Sequence, residues 1–346
     1  TKEATGFWVK TSAKDFDAGL DIVSDILLEP LFKKEEMEKE RGVISQEIDM
    51  YEDNPKRKVQ TVLESVIFGD QPVGWDIAGD KKSVASIKRE DIINYEAENY
   101  LSGNMIVVVA GNFVKKDIFK KISSAFDPIK KGNRRKFVKT ETSQKEARIK
   151  IINKKTDQTH LALAIRAYDM YDKNRYALGL LSTLLGGNSS SRLFMEIREK
   201  LGLAYYVYSW ADQLMDCGYL GVVAGVTHNN LETVLEKIIS ICSKIKNGDI
   251  TQNDIDFAKS YLRGQTALRF EASDEIAHFV AGQELFYNKT EQPADILKRI
   301  EAVKREDVLN VAKELFKPKN FSLSVIGKHK DVEKINKFYK KILANI

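Results

Sequence analysis

The chain repeats itself, and the repeat limits what it can fold into. The stretch Ile87-Lys88-Arg89-Glu90-Asp91-Ile92-Ile93-Asn94 returns as Val303-Lys304-Arg305-Glu306-Asp307-Val308-Leu309-Asn310. The match runs on without a gap, so Asn104–Gly111 aligns with Asn320–Gly327. Each copy reads as a helix opening on Arg-Glu-Asp, an Asn turn, and a buried strand ending in Gly. A repeat of such long period sets the architecture before any local reading does. The offset is about 216 residues, and the second copy begins near Ala147. The same offset starts the first copy roughly 70 residues ahead of Thr1, so a block of that copy is expected to be absent from the chain. Chemistry carried by such a block is not legible here.

At 346 residues the chain suits two domains rather than one core. The expected boundaries are an N-terminal domain at 1–130, a linker at 131–144 and a related C-terminal domain at 145–346. No apolar run approaches the roughly 20 residues of a membrane helix. Two cysteines, Cys217 and Cys242, with no Cys-x-x-Cys spacing, argue against a disulfide framework or a zinc knuckle. A reducing, cytoplasmic setting is the reading that follows. The net charge of +5 is small for this length. One dense basic run, Lys130 to Lys136, lacks interleaved aromatics and falls where the linker is expected, so no nucleic-acid partner is read from it. No membrane partner is read either.

Apolar spacing predicts helices over Ala13–Leu28, Glu35–Tyr51 and Lys58–Ile67, with Pro30 and Pro55 as stops. Gly6–Lys10 reads as the end of a strand and Asn104–Gly111 as a strand. In the second half, strands are predicted at Ala147–Asn153, Thr159–Ala167, Ala204–Ala211, Tyr219–Val226 and Phe321–Ile326. Long helices lie between them, among them Ser190–Lys200. The fold class is α+β: two related domains from an internal duplication, each an antiparallel-rich sheet with helices packed on one face.

Local motifs for chemistry are sparse. The four histidines, His160, His228, His278 and His329, are far apart in sequence, and each reads as a structural or surface residue. Gly186-Gly187-Asn188-Ser189-Ser190-Ser191 lacks the Lys of a phosphate loop and reads as a tight helix entry with a Ser cap. Glu40 and Glu47 lie two helical turns apart, so they share a face beside Val43 and Ile44; read from the residues alone, a Glu pair on a Lys/Glu-rich helix is a solvated face, with partial burial the alternative. A buried carboxylate there would need a cation or a metal.

Context sharpens that reading. Lys39-Glu40-Arg41-Gly42-Val43-Ile44-Ser45-Gln46-Glu47-Ile48, then Asp53-Asn54-Pro55, Pro72-Val73-Gly74 and Gly79, resembles the pitrilysin/insulinase family of zinc peptidases. Leu27-Leu28-Glu29-Pro30-Leu31-Phe32 fits the same pattern. So do Gly186 to Phe194 and Arg198-Glu199-Lys200-Leu201-Gly202-Leu203-Ala204-Tyr205. The resemblance covers essentially the whole chain and is nearest to bacterial relatives of the mitochondrial processing peptidase.

The resemblance implies a clamshell-like fold and zinc-dependent hydrolysis of peptides or unfolded segments. Family members bind zinc through His-x-x-Glu-His on a helix plus a distant Glu. Glu47 matches that distant ligand, and Glu40 matches an acid on the same helix that orients a His ligand. The His-x-x-Glu-His itself is expected in the absent block. Arg198 and Tyr205 match a pair that reaches the substrate and stabilises the tetrahedral intermediate. Read from residues alone, they are a salt-bridged helix Arg and a strand-end core Tyr. A rough alignment of the two copies sets Gln265 near the Glu47 position. The implied partners are a peptide substrate, taken up as a strand along a sheet edge, and a second chain, as homodimer or as heterodimer with a relative. Alternative readings are a non-catalytic subunit, like the partner chain of the processing peptidase, or a peptide-binding module. The survival of Glu40, Glu47, Arg198 and Tyr205 together favours the peptidase.

Overall fold

The computed structural model describes residues 1–133 and 136–346; Arg134 and Arg135, in the middle of the basic run, lie outside the described residues. The first copy supplies a 3-10 turn at Ala13–Asp15, then α1 (Phe16–Leu28), α2 (Lys34–Glu52), α3 (Pro55–Phe68), α4 (Lys81–Ser86), α5 (Arg89–Asn99) and α6 (Lys115–Ala125). The second opens with β1 (Arg148–Asn153), β2 (Thr159–Ala167), α7 (Arg175–Gly186), a π-helical turn at Phe194–Lys200, β3 (Ala204–Gln213) and β4 (Gly218–Val226). It then repeats the first copy. A 3-10 turn at His228–Asn230 leads to α8 (Leu231–Lys246), α9 (Gln252–Arg269), α10 (Ser273–Tyr287), α11 (Pro293–Ala302), α12 (Arg305–Leu315), β5 (Phe321–Gly327) and α13 (Val332–Leu343).

The duplication reaches individual hydrogen bonds. The Lys88 N–H donates to the Asp91 carboxylate at 2.8 Å, as the Lys304 N–H does to Asp307. Both bonds satisfy a helix-start donor that has no partner within the helix. Arg89 donates from Nε to Phe32 O at 2.7 Å, and Arg305 from Nε to Ile250 O at 2.6 Å. Asn104 Nδ2 closes on Asn99 O at 2.8 Å, and Asn320 Nδ2 on Leu315 O at 2.9 Å. Each Asn caps the last carbonyl of its helix before the chain extends.

The copies part at the strands. Asn104–Gly111 forms no strand, and neither does Gly6–Lys10. A strand exists through its ladder partners, and among the described residues none lies beside Asn104–Gly111; Ile106 and Val107 are exposed there. Among the described residues the one sheet belongs to the second copy, in the order β1-β5-β2-β4-β3. Three of its pairings are antiparallel, and β1 runs parallel to β5. The α+β class holds, with one mixed sheet.

That sheet is covered on both faces, not on one. Leu161, Leu163, Leu220, Val222, Leu323 and Val325 pack into the main core with α7, α8, α12 and α13. On the other face Ala162, Ala164, Val223 and Ile326 meet Val59, Val62, Leu63 and Ile67 of α3, a first-copy helix. By spatial grouping the chain forms two units. One joins Thr1–Ile48, Ala78–Val138 and Gln265–Pro293; the other joins Asp49–Ile77, Lys139–Gly264 and Ala294–Ile346. The units therefore cross the linear limits of 1–130 and 145–346: α3 groups with the sheet, and α10 with the first-copy helices. In the latter unit, Asp274 of α10 pairs with Lys10 at 2.8 Å, and His278 meets the Trp8 ring edge-on.

Both cysteines are buried. No helix among the described residues is long and apolar enough to cross a membrane.

β3 carries a row of aromatic side chains, Tyr206, Tyr208 and Trp210, at the two-residue period that puts them on one face. Two of them lean over glycines of β4: Tyr206 is in register with Gly225, and Trp210 with Gly221. A Cβ built on Gly221 would lie 2.5 Å from the Trp210 ring, so only Gly fits beneath it. Gly221→Ala should lower stability by about 1–3 kcal/mol through overpacking. Urea unfolding checks this, and a wild-type midpoint would show that the ring moves aside freely.

Candidate active site

The segment from Phe194 to Tyr205 presents the two residues matched to substrate contact. The chain enters it through a turn held by Asn188. The Asn188 Oδ1 accepts from the Ser190 N–H at 2.8 Å, and the Asn188 carbonyl accepts from Ser191 Oγ at 2.5 Å. The expected Ser cap is thus replaced by an Asn-centred turn. The expected α-helix over Ser190–Lys200 ends as a π-helical turn over Phe194–Lys200. Such turns widen the helix and are common at functional sites. Ile197 points into the core and is fully buried. Arg198, one position on, is exposed. Gly202 then ends the turn at φ 59°, a left-handed conformation that favours Gly, and its N–H donates to Arg198 O at 3.1 Å.

β3 begins two residues later, on a bulge. Ala204 faces Val226 and Tyr206 faces Gly225, so Tyr205 is the extra residue without an opposite number. Bulges re-aim a side chain out of the strand alternation. Tyr205 is 75% exposed, whereas its neighbour Ala204 is buried. The core-Tyr reading of position 205 therefore fails. So does the salt-bridged reading of Arg198: its guanidinium lies over the Phe194 ring, 4.9 Å from the centroid, and makes no ion pair among the described residues. The Tyr205 hydroxyl likewise has no hydrogen-bond partner there. The local fold leaves two polar donors facing solvent, seven residues apart on the turn-to-strand connection.

Glu40 and Glu47 both lie on α2, and both are exposed rather than partly buried. The burial falls to Ile48, next to Glu47. Neither carboxylate is hydrogen-bonded or ion-paired among the described residues. They belong to the unit of first-copy helices, and Arg198 and Tyr205 to the unit of the sheet. Among the described residues, no three His, Cys, Asp or Glu side chains gather where they could hold a metal ion. A catalytic zinc takes three protein ligands. The residues present therefore do not make a zinc site by themselves, since Glu47 offers one carboxylate.

Three of the four histidines do come together, at one end of the sheet. Thr159 Oγ lies 2.8 Å from His228 Nδ1 and 2.7 Å from His329 Nε2. His160 Nδ1 lies 2.8 Å from the Tyr206 hydroxyl. Sequence spacing could not reveal this. The available signal was that each histidine falls at a strand end, where neighbouring strands finish side by side.

Exposure sets the consequence for stability. Arg198→Ala and Tyr205→Phe should each shift stability by no more than about 0.5 kcal/mol, as surface changes do. Ile197→Ala, beside Arg198 but in the core, should cost about 2–5 kcal/mol. Thermal melts of the three variants check this; a large loss in either surface variant would return that residue to a structural role.

Comparison with known proteins agrees with this anatomy. Residues 1–81 match the family model described as Insulinase (Peptidase family M16), and residues 86–262 match the model described as Peptidase M16 inactive domain. An uncharacterized zinc protease of Streptomyces coelicolor is 31% identical over 341 residues, spanning 95% of this chain and 73% of that protein. A protease from Helicobacter pylori shares the fold at a TM-score of 0.85 and 24% identity, over 92% of this chain and 77% of that one. A chain of complex III2 from Candida albicans does so at 0.86 and 15%, over 96% and 81%. The chain therefore belongs to the M16, or insulinase, family of peptidases.

Proposed function

We propose that the chain is the substrate-contacting portion of a zinc-dependent endopeptidase acting on peptides or unfolded segments. The observation that carries this is the exposed pair Arg198 and Tyr205. Both side chains offer N–H or O–H donors that no other described residue claims. The π-turn anchors Ile197 in the core and turns Arg198 outward, and the bulge turns Tyr205 outward. Two such donors suit the oxygen of a peptide carbonyl as it gains negative charge during attack, where a preorganised donor is worth about 3 kcal/mol or more. The family register makes Glu47 a metal ligand and Glu40 its neighbour on the helix. Gln265 supports the distinction: it stands near the Glu47 position in the second copy, with similar size but no charge to hold a cation.

One observation favours a second reading. Residues 86–262 match a model described as an inactive domain. On that reading the chain is a non-catalytic subunit that pairs with a related chain, and Arg198 and Tyr205 serve peptide binding alone.

The 346-residue polypeptide should not hydrolyse peptides, because it supplies one matched zinc ligand of the three required. The coding sequence ahead of Thr1 separates the readings. A His-x-x-Glu-His helix within roughly 80 codons supports the peptidase; its absence leaves the non-catalytic subunit. In a polypeptide that includes such a helix, Glu47→Gln should empty the metal site. Glu40→Gln should weaken zinc affinity only about 10- to 100-fold. Metal content by mass spectrometry decides this, and full zinc in Glu47→Gln with an empty site in Glu40→Gln would reverse the two roles.

A further inference from the structure

We propose that a cavity at one end of the sheet, lined by Arg166, Lys145 and Lys319, binds the phosphate group of a small phosphate monoester. β2 and β4 finish there side by side, with Ala167 opposite Gly218. Residues 142–145 and the Lys319–Asn320 turn ahead of β5 line a cavity with them, of about 660 Å³. All of its lining belongs to the unit of the sheet. The turn into β3 lies at the opposite end, where Ala204 and Thr159 both face Val226. The cavity is therefore separate from the candidate active site.

Positive charge at this end exceeds what the protein offsets. Arg166 is half-buried, and its guanidinium lies over the Phe68 ring, 5.4 Å from the centroid. Its Nε donates to Gln144 Oε1 at 2.8 Å and its Nη2 to Ile67 O. A guanidinium carries five N–H groups, so both N–H of Nη1 remain unspent among the described residues. Arg148 donates to the same Ile67 carbonyl at 2.8 Å. The end of a helix supplies about half a negative charge, against two full positive charges from the arginines. The strain shows in Arg166, whose pKa is brought down to about 10 by burial first and then by Arg148. Cys217 and Glu141 act the other way, and the group stays charged at neutral pH.

Lys145 and Lys319 add two ammonium groups to the cavity lining, and neither is ion-paired among the described residues. Glu314 is the one carboxylate in that lining, and it already accepts from the Tyr168 hydroxyl at 2.7 Å. Glu141, beside the cavity, accepts from the Ser143 N–H at 2.8 Å. Three cations against one engaged carboxylate leave an excess of two positive charges. A cleft lined by one sign of charge focuses its field and concentrates the opposite ion. A phosphate monoester carries about 1.5 to 2 negative charges near pH 7, which matches the excess. The free Nη1 of Arg166 suits phosphate oxygens, and the lysines add point charges. The volume is larger than a phosphate and lies within the roughly 300–1,000 Å³ of small-molecule sites. Ala167, Leu315 and the Tyr168 ring give the organic part an apolar wall.

Amide NMR of the 346-residue polypeptide, titrated with phenyl phosphate at constant ionic strength, tests the site. The resonances of Ala167, Gly218 and Asn320 should move together along one saturable curve, with a Kd of about 0.1–1 mM. Leu163, at mid-strand in β2, should stay still. Phenol and chloride should leave all four unmoved. Lys145 and Lys319 are both exposed, so the double variant Lys145→Gln with Lys319→Gln keeps the fold and its packing. Its affinity for phenyl phosphate should fall at least about tenfold, because two charge-assisted contacts are lost. Absence of a saturable shift at Ala167, Gly218 and Asn320 by about 20 mM would overturn the proposal. So would the same shifts with phenol, or an undiminished affinity in the double variant.

Discussion

The structure depends on one requirement: β2, β4 and β5 are apolar on both sides and must be covered on both. All nine residues of β4 and all seven of β5 are buried. The second copy covers one face with α7, α8, α12 and α13 and has nothing left for the other. The first copy supplies α3. Its placement is fixed by polar contacts as well as by apolar burial. Ser324 Oγ, fully buried in β5, donates to Val59 O at 2.7 Å. Arg148 donates to Ile67 O at 2.8 Å, and Arg166 reaches the same carbonyl. Two guanidinium groups thus sit at the C-terminal end of α3, where the helix dipole favours positive charge. No carboxylate among the described residues is ion-paired to either one.

From that sheet the candidate site follows by geometry. β3 is its edge strand, and the π-turn that feeds β3 is anchored by Ile197 beneath it. The anchor leaves Arg198 on the outer side. The bulge at Tyr205 then turns one side chain out before regular alternation resumes at Tyr206. Positions 198 and 205 are exposed because their neighbours are committed, Ile197 to the core and Gly202 to a left-handed turn. A rigid sheet and an irregular connection are the combination in which side chains for binding are usually held.

Much of this was legible in the sequence, for physical reasons that can be named. The copies were visible because Arg89 and Arg305, Asp91 and Asp307, and Asn104 and Asn320 each make the same backbone bond in both copies. β2 was legible because Leu161–Ile165 is a continuous apolar run, flanked by Thr159-His160 and Arg166. Other features were not legible. The strand read at Asn104–Gly111 failed because strand propensity does not supply a ladder partner. The cover of the second sheet face by α3 joins residues far apart in the chain, which local periodicity does not report. The π-turn and the bulge each depend on one residue of register, and no pattern of apolar spacing records that. Glu40 and Glu47 sit on the solvated face that a Lys/Glu-rich helix usually presents: Val43 turns outward, Ile44 is half-buried and Ile48 is buried. The roles of Arg198 and Tyr205 came from family resemblance; what the structure adds is their exposure.

The central claim is that positions 198 and 205 face a bound peptide. It is tested most directly by placing a photoreactive phenylalanine analogue at position 205 and irradiating the 346-residue polypeptide with an extended, unstructured peptide. Tyr171, an exposed tyrosine of the same unit, serves as the control position. The account predicts cross-linking from position 205, weakened by Arg198→Ala and absent from position 171. Equal labelling at both positions, or labelling at 205 that is indifferent to Arg198, would contradict it.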